Sequence, residues 1–264
     1  MLKPWIQRWR LAIQLLPLVA VVATLRYTFD AVGWDTAPLS PLYTGLVAGT
    51  IFLLGFLLAG TLGDYKESEK LPGDLAASME SIADECLILE AEKPAAAQTC
   101  LADVRDLAGA IEDWLRGRRT VDAVLAAVTG LNVHFREFEP LTQPNFIVRL
   151  KQEQNSIRRM VIRIDVIRET SFVKAGYAIA ELTSLLLLIG LMFTNVGGPS
   201  IEVFLVATLA FLLGYMLLLI RDLDNPFDYD GTDKAGVSEV SLRVLVDVRQ
   251  RLAALSPTPT THSS

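Results

Sequence analysis

The sequence predicts an all-α integral membrane protein with four transmembrane helices and a helical domain outside the bilayer. Its mean hydropathy is +0.38 and 52% of its 264 residues are hydrophobic, which is more than an ordinary soluble domain carries. The apolar residues are concentrated in long runs without a charge. Between those runs, apolar stripes recur at helical spacing and no alternating strand pattern appears.

The uncharged runs have the length that a membrane crossing needs, which is about 20 residues. The run between Asp35 and Asp64 has 28 residues, the run between Glu181 and Glu202 has 20, and the run between Glu202 and Arg221 has 18. A further candidate at the N-terminus, 11–29, contains Arg26, which we expect to snorkel to an interface. Glu202 begins the last span and is expected to be interfacial as well.

The N-terminal segment also has features of a signal peptide, because Lys3, Arg8 and Arg10 precede a short apolar run. No small-x-small cleavage site follows, which favours a first membrane anchor. Lys and Arg flank the four spans on the side of the two termini and the long middle region. The positive-inside rule therefore predicts cytoplasmic termini, with insertion in the plasma (inner) membrane if the protein is bacterial.

Charge and hydropathy predict five segments along the chain. These are transmembrane helices 1 and 2 (1–63), a cytoplasmic helical domain (64–174), transmembrane helices 3 and 4 (175–220), a cytoplasmic C-terminal segment (221–255) and a disordered tail (256–264). Within the helical domain, residues 64–93 hold nine acids against three bases, whereas residues 144–174 hold seven bases against three acids. We expect these two oppositely charged helices to lie side by side. Cys86 and Cys100 would be reduced and structural in a cytoplasmic domain, although their number allows one disulfide.

The second span is rich in small residues. Gly45 and Gly49, and likewise Ala59 and Gly63, have the small-xxx-small spacing that permits close helix packing. Phe52 and Phe56 lie one helical turn apart near the middle of this span. If copies of the span surround an axis, the two rings would form a hydrophobic constriction. Periodicity alone favours the alternative, in which both rings face lipid or a neighbouring helix. The candidate pore or packing glycines are Gly45, Gly49, Gly55, Gly60 and Gly63.

Two further candidates are acidic. Glu181 is an intramembrane carboxylate, which is costly unless it faces the interior of a helix bundle or water. After the last span, several carboxylates offer the hard oxygen ligands that Ca²⁺ prefers, although the EF-hand spacing fails and an acidic turn is the alternative. These are Asp222, Asp224, Asp228, Asp230 and Asp233.

The sequence contains no catalytic motif that we recognise, so we expect no catalytic activity. The only histidines, His134 and His262, are far apart, and no phosphate loop or nucleophile elbow is present. No nucleic-acid partner is expected, because the arginines of 149–168 are balanced by the acidic helix.

Two stretches resemble the bestrophin-like membrane proteins, which comprise the bestrophin anion channels and their bacterial four-span relatives. LGFLLAGTLGDYKESEKLPGDLA (54–76) is similar to the exit from their second span, and RDLDNPFDYDGTDKAGVSEVSL (221–242) is similar to the segment after their last span. The resemblance implies a homo-pentamer that passes chloride or other small anions through a central pore lined by the second span. It places Phe52, Phe56 and Ala48 in the pore neck, and Ca²⁺ in the acidic segment, as in animal bestrophins. The alternative is a non-conducting membrane scaffold or regulator of the same architecture.

Overall fold

The structure, a computed structural model, describes residues 2–34, 37–38, 40–169, 174–195, 197–224, 226–227, 229 and 239–255. In these ranges the chain is almost entirely helical, which confirms the predicted all-α fold. The helices are α1 (Leu2–Val32), α2 (Pro41–Ser68), α3 (Leu71–Glu90), α4 (Pro94–Leu115), α5 (Val121–Gly130), α6 (Asn132–Phe138), α7 (Pro144–Glu169), α8 (Lys174–Met192), α9 (Pro199–Asp224) and α10 (Arg243–Leu255), with a short 3₁₀ helix at Glu139–Leu141.

Among the described residues, three helices are long and apolar enough to cross a membrane, namely α1, α2 and α9. The fourth predicted crossing, α8, is a shorter apolar helix, counted from Gly176 to Met192. Two glycines, Gly197 and Gly198, have positive φ angles of 133° and 131° in the connection to α9. This backbone conformation is readily open only to glycine, and Pro199 then begins the next helix.

The chain divides into two compact units. The first unit contains α1, α2 as far as Tyr65, α8 and α9, and the second contains the end of α2 together with α3 to α7 and α10. In the first unit, the connections after α1 and α8 meet in a parallel two-residue pair, β1 (Ala37–Pro38) and β2 (Thr194–Asn195). Strands this short leave no alternating pattern in a sequence, so no strand was predicted there.

Glycines set the closest helix contacts in the first unit. A Cβ atom at Gly214 of α9 would lie 2.7 Å from Leu15 Cδ1 of α1, and these two helices share the most extensive packing in the unit. A Cβ atom at Gly190 of α8 would lie 2.8 Å from the ring of Tyr43, whose hydroxyl donates a hydrogen bond to the Leu187 carbonyl. Close packing inside one protomer therefore explains why both positions are glycine.

Oppositely charged helices pack together in the second unit, as predicted. Helix α3 packs against α7, and Arg149 of α7 pairs with the buried Glu85 at 2.7 Å. Near the other end of α7, Arg163 makes two hydrogen bonds to Glu67 at 2.9 and 3.0 Å. Because the residue number on α7 rises as that of its partner falls, α7 runs antiparallel to the chain from Glu67 through α3.

Helix α2 does not run on into α3. It ends at Ser68, and α3 begins at Leu71 with Pro72 in its first turn. Proline lacks a backbone N–H and its ring clashes with the carbonyl four residues earlier, which interrupts the helix at this point. Proline is well tolerated in the first turn of the new helix.

The two cysteines face each other between α3 and α4. Both side chains are buried and unoxidised, with Cys86 Sγ 2.9 Å from Cys100 Sγ. The hydrogen bond between the thiols, together with burial, raises the pKa of Cys100 far above its usual range. The thiolate is the reactive form of cysteine, so a buried, protonated pair is inert toward alkylating agents.

We therefore expect no labelling by a maleimide reagent in the folded protein and two labelled cysteines after full denaturation. Intact-mass measurement before and after denaturation checks this, with a reductant-treated sample as control. Labelling of the folded chain would contradict the buried thiol pair, and a denatured chain that takes no label without reductant but two labels after reduction would reveal a disulfide.

Candidate functional site

One side of α2 is exposed in the protomer. We call it the α2 face and define it by its exposed residues at helical spacing, Gly45, Ala48, Gly49, Phe52, Phe56, Ala59, Gly60 and Gly63. The opposite side carries Leu54 and Leu57, which are buried in a core with Ala180 and Leu187 of α8 and Leu213 of α9. The α2 face thus contains nearly every residue that the sequence predicted for the pore, while Gly55 lies beside it and is partly buried.

Glycines on this helix have no packing reason within one protomer. A Cβ atom built at Gly45, Gly49, Gly55 or Gly63 would meet nothing within 4 Å. Glycine weakens a helix relative to alanine, because it loses more backbone freedom on folding. The described residues of one protomer therefore give no packing reason for its repeated use on this side of α2.

Two aromatic rings interrupt the small residues at the middle of the α2 face. Phe52 is 76% exposed and Phe56 is 67% exposed, and they lie one turn apart on the same side. Other outward surfaces of the first unit are built mainly from branched aliphatic side chains, as expected of a surface against acyl chains. Examples on α8 are Ile179, Leu182, Leu185, Leu186 and Ile189. The α2 face differs from these surfaces in composition.

A carboxylate also lies on an open side of the first unit. Glu181, within α8, is exposed in the protomer, between the buried Ala180 and the buried Ser184. An ionised carboxylate at membrane depth is costly unless it contacts water or a polar partner. Its exposure agrees with a surface that another copy or an aqueous path covers.

Sequence reasoning missed a buried ion pair at one end of the first unit. Arg26 and Glu202, which the sequence treats as two separate charges near an interface, are both buried in the protein and pair with each other. Arg26 Nη2 also donates to the Thr194 carbonyl at 3.0 Å. Glu202 Oε1 accepts from the backbone N–H groups of Gly197 and Gly198 at 3.1 and 3.3 Å. The pair therefore ties α1 and α9 to the connection that follows α8.

The acidic segment after α9 is only partly described. Asp222 and Asp224 lie in the last turn of α9. Asp228, Asp230 and Asp233 lie outside the described residues. In the described part of the chain, no three His, Cys, Asp or Glu side chains are placed to hold a metal ion. Calcium binding by this segment stays a prediction.

Comparisons with known proteins identify the fold. No family model matches the chain and no curated protein is similar to it in sequence. Solved structures do match. One variant of a bacterial bestrophin homologue from Klebsiella pneumoniae gives a TM-score of 0.78 with 10% identity, covering 92% of this chain and 99% of that chain. A second variant of the homologue gives 0.73 with 13% identity, covering 96% and 100%.

A third solved structure, described only as a membrane protein, gives a TM-score of 0.78 with 12% identity and covers 94% of this chain and 99% of that one. The similarity therefore spans essentially whole chains, at an identity too low to carry residue roles from one protein to another. The chain has the fold of the bacterial bestrophin homologues.

Proposed function

We propose that this chain is a bestrophin-like membrane protein and that several copies form an anion channel whose pore is lined by the α2 face. The observation that carries the proposal is the α2 face itself. Among the described residues, nothing lies within 4 Å of a Cβ atom built at Gly45, Gly49 or Gly63, and the two phenylalanines of the face are exposed. Copies of this face around one axis would leave a path of backbone and small side chains with two apolar rings at its neck.

Ion passage through the proposed pore would be controlled at its neck, the level of Phe52 and Phe56. A ring of phenylalanines narrows the path and repels water, so a constriction of this kind closes by dewetting and opens when it widens. Phe52 and Phe56 would provide two such rings, and Ala48 a third, wider level one turn away. The exposed backbone beside the glycines would offer polar groups to a passing anion.

Two further observations support an assembly. The fold matches bestrophin homologues over nearly the whole chain, and the exposed Glu181 is unfavourable against lipid alone. The resemblance in sequence implies five subunits, chloride or other small anions as the permeant species, and cytoplasmic termini. Native mass measurement of the purified protein in detergent tests the subunit number, and a mass of one protomer would contradict the assembly.

The second candidate function is a non-conducting membrane scaffold or regulator. It is favoured by Ala48, because an alanine at a predicted neck position leaves that level of the α2 face without a bulky gate residue. A scaffold would use the glycines only for close helix packing. Recording from the purified protein separates the two functions.

We expect anion current from the purified protein in a planar bilayer, and a several-fold larger current from the double variant Phe52→Ala/Phe56→Ala. The increase follows from removing the two rings that narrow and dewet the path. Phe204 of α9 provides a matched control, because it is 68% exposed on another helix. The variant Phe204→Ala should leave the current unchanged.

The recordings also show whether the proposed neck or the proposed channel itself is wrong. Current that is equal in the wild type and the Phe52/Phe56 variant would exclude a neck at these residues while leaving a channel. Absence of current from all three proteins over a range of pH and calcium concentration would favour the scaffold.

A further inference from the structure

The turn between α4 and α5 presents three arginines from a well-defined backbone. Residues Arg116 to Thr120 are all exposed. Gly117 has φ +72°, and its N–H bonds the Trp114 carbonyl while the Arg118 N–H bonds the Asp113 carbonyl. These two bonds and the left-handed glycine form a Schellman motif, which ends α4 in a fixed conformation. Thr120 then caps α5 by accepting from Ala123 N–H. We call Arg116, Arg118 and Arg119 the arginine turn.

Helix geometry brings the arginine turn to the end of the second unit at which the chain arrives from α2. Cys86 of α3 lies against Cys100 of antiparallel α4, and Leu71 and Leu115 are each 15 residues from that contact. At 1.5 Å per residue both lie about 23 Å away in the same direction. The end of α4 is therefore level with the beginning of α3.

Helix α7 finishes at the same end. Arg168, next to its last residue, donates from Nη1 to the Trp114 carbonyl at 3.2 Å, and its guanidinium lies 5.5 Å from the centre of the Trp114 ring. The apolar helix α8 begins only a few residues later, at Lys174. The arginine turn is about 50 residues from either membrane-spanning segment in sequence, yet it lies at the end of the second unit that also holds the beginning of α3 and the end of α7.

The three arginines of the turn pair with acids but remain partly exposed to solvent, so they can still attract an anion. Arg116 pairs with Glu112 at 3.1 Å, and Arg118 and Arg119 share Asp113 at 2.8 and 3.9 Å. The three side chains are 44, 58 and 51% exposed. The pairs of Arg118 and Arg119 with the partly exposed Asp113 each contribute at most about 1 kcal/mol, so a stronger anion displaces Asp113 at little cost, whereas Arg116 pairs with a buried carboxylate. Arg168 adds a fourth positive charge, and Arg249 also pairs with Glu112 at 3.0 Å. These five arginines therefore carry more positive charge than Glu112 and Asp113 can neutralise.

We propose that the arginine turn, with Arg168, binds the phosphate headgroups of acidic phospholipids at the membrane surface. Basic clusters at the cytoplasmic ends of spanning helices are attracted to anionic lipid by about 1 kcal/mol per residue, and arginine binds phosphate with two parallel hydrogen bonds. The rigid turn fixes the guanidinium groups, which lowers the entropy lost on binding. This interaction surface does not depend on whether the assembly conducts ions.

The test compares lipid binding to the full chain in detergent by native mass spectrometry. Phosphatidylglycerol is the acidic probe and phosphatidylcholine the neutral reference. The variant is Arg118→Gln/Arg119→Gln, which leaves Asp113 partly exposed to solvent and should not disturb folding. The matched control is Arg158→Gln/Arg159→Gln, which removes two arginines from the middle of α7. We expect roughly 30-fold weaker phosphatidylglycerol binding in the first variant only.

Three results would overturn the proposal. The first is equal phosphatidylglycerol affinity of the wild type and the Arg118/Arg119 variant. The second is an equal loss in both double variants, which would indicate general electrostatic attraction. The third is complete displacement of phosphatidylglycerol by 10 mM inorganic phosphate, roughly a physiological concentration, which would assign the turn to a free anion. Thermal unfolding of each variant verifies that the fold is retained.

Discussion

Replacing Glu202 by glutamine is expected to lower the free energy of unfolding by about 3–5 kcal/mol, because it leaves a buried arginine without its counter-ion. Arg26 and Glu202 are both fully enclosed by protein, and a guanidinium cannot lose its proton to escape the cost of burial. Glutamine keeps the shape and still accepts from the Gly197 and Gly198 N–H groups. In a chain of this size the loss corresponds to a fall in Tm of roughly 10 °C, measured on the detergent-solubilised protein.

A double-mutant cycle separates the charge from the packing. Arg26→Met alone leaves a buried carboxylate, and the double variant Arg26→Met/Glu202→Gln removes both charges. Replacing a whole buried pair by neutral groups is often nearly neutral, whereas breaking it is severe. The double variant should therefore unfold at a higher temperature than either single variant. Additive losses would contradict a coupled pair.

The same chain contains a matched control in Arg163 and Glu67, which form a two-pronged pair in water. Both side chains are about half exposed, so Arg163→Gln should cost no more than about 1 kcal/mol. The hydrogen bonds from Arg163 hold the pKa of Glu67 below its usual value. The small contribution of this pair is present above the pKa of Glu67 in the unfolded chain. It is lost as the pH falls through the lowered pKa of the folded state.

Patterns along single helices predicted much of the fold and the candidate site. The apolar residues at helical spacing between the spans are buried in α3 and α4, and the acidic and basic helices pack together. Each depends on local spacing or on the sign of the charge, which a sequence shows directly. The side of α2 that bears Phe52 and Phe56 likewise follows from four-residue spacing, although its role as a pore stays a prediction.

Features that depend on distant partners were missed. Arg26 and Glu202 are 176 residues apart, and each was interpreted alone as a charge at the membrane surface. The sequence did contain a signal for this pairing. Arg26 and Glu202 have opposite charges, and each is a single charge beside a long uncharged run. The break before α3 was not predicted either, although Pro72 is the residue that causes it.

Adding one methyl group at Gly214 is expected to destabilise the first unit by about 1–3 kcal/mol. The new Cβ atom would lie 2.7, 3.1 and 3.4 Å from Leu15 Cδ1, Cδ2 and Cγ, so the whole end of that leucine must move. Leu15 is buried between α1 and α9 and has little room to do so. Thermal unfolding of Gly214→Ala in detergent measures the effect, and Gly214→Val should lower Tm further.

A compensating change tests the cause. Leu15→Ala removes the atoms that the new methyl group meets, so the double variant Leu15→Ala/Gly214→Val should recover stability relative to Gly214→Val alone. No recovery would mean that the cost arises from the helix backbone rather than from this contact.

Gly49→Ala provides the contrast, because a Cβ atom there meets nothing within 4 Å of the protomer. If copies of α2 approach closely around a shared axis, this change should lower the mass of the assembly in native measurements. Gly214→Ala should lower Tm without changing that mass, because its contact lies within one protomer. Two glycine-to-alanine changes in spanning helices therefore distinguish packing within a protomer from packing between protomers. An unchanged mass for Gly49→Ala and for the bulkier Gly49→Leu would contradict an α2 face that meets other copies.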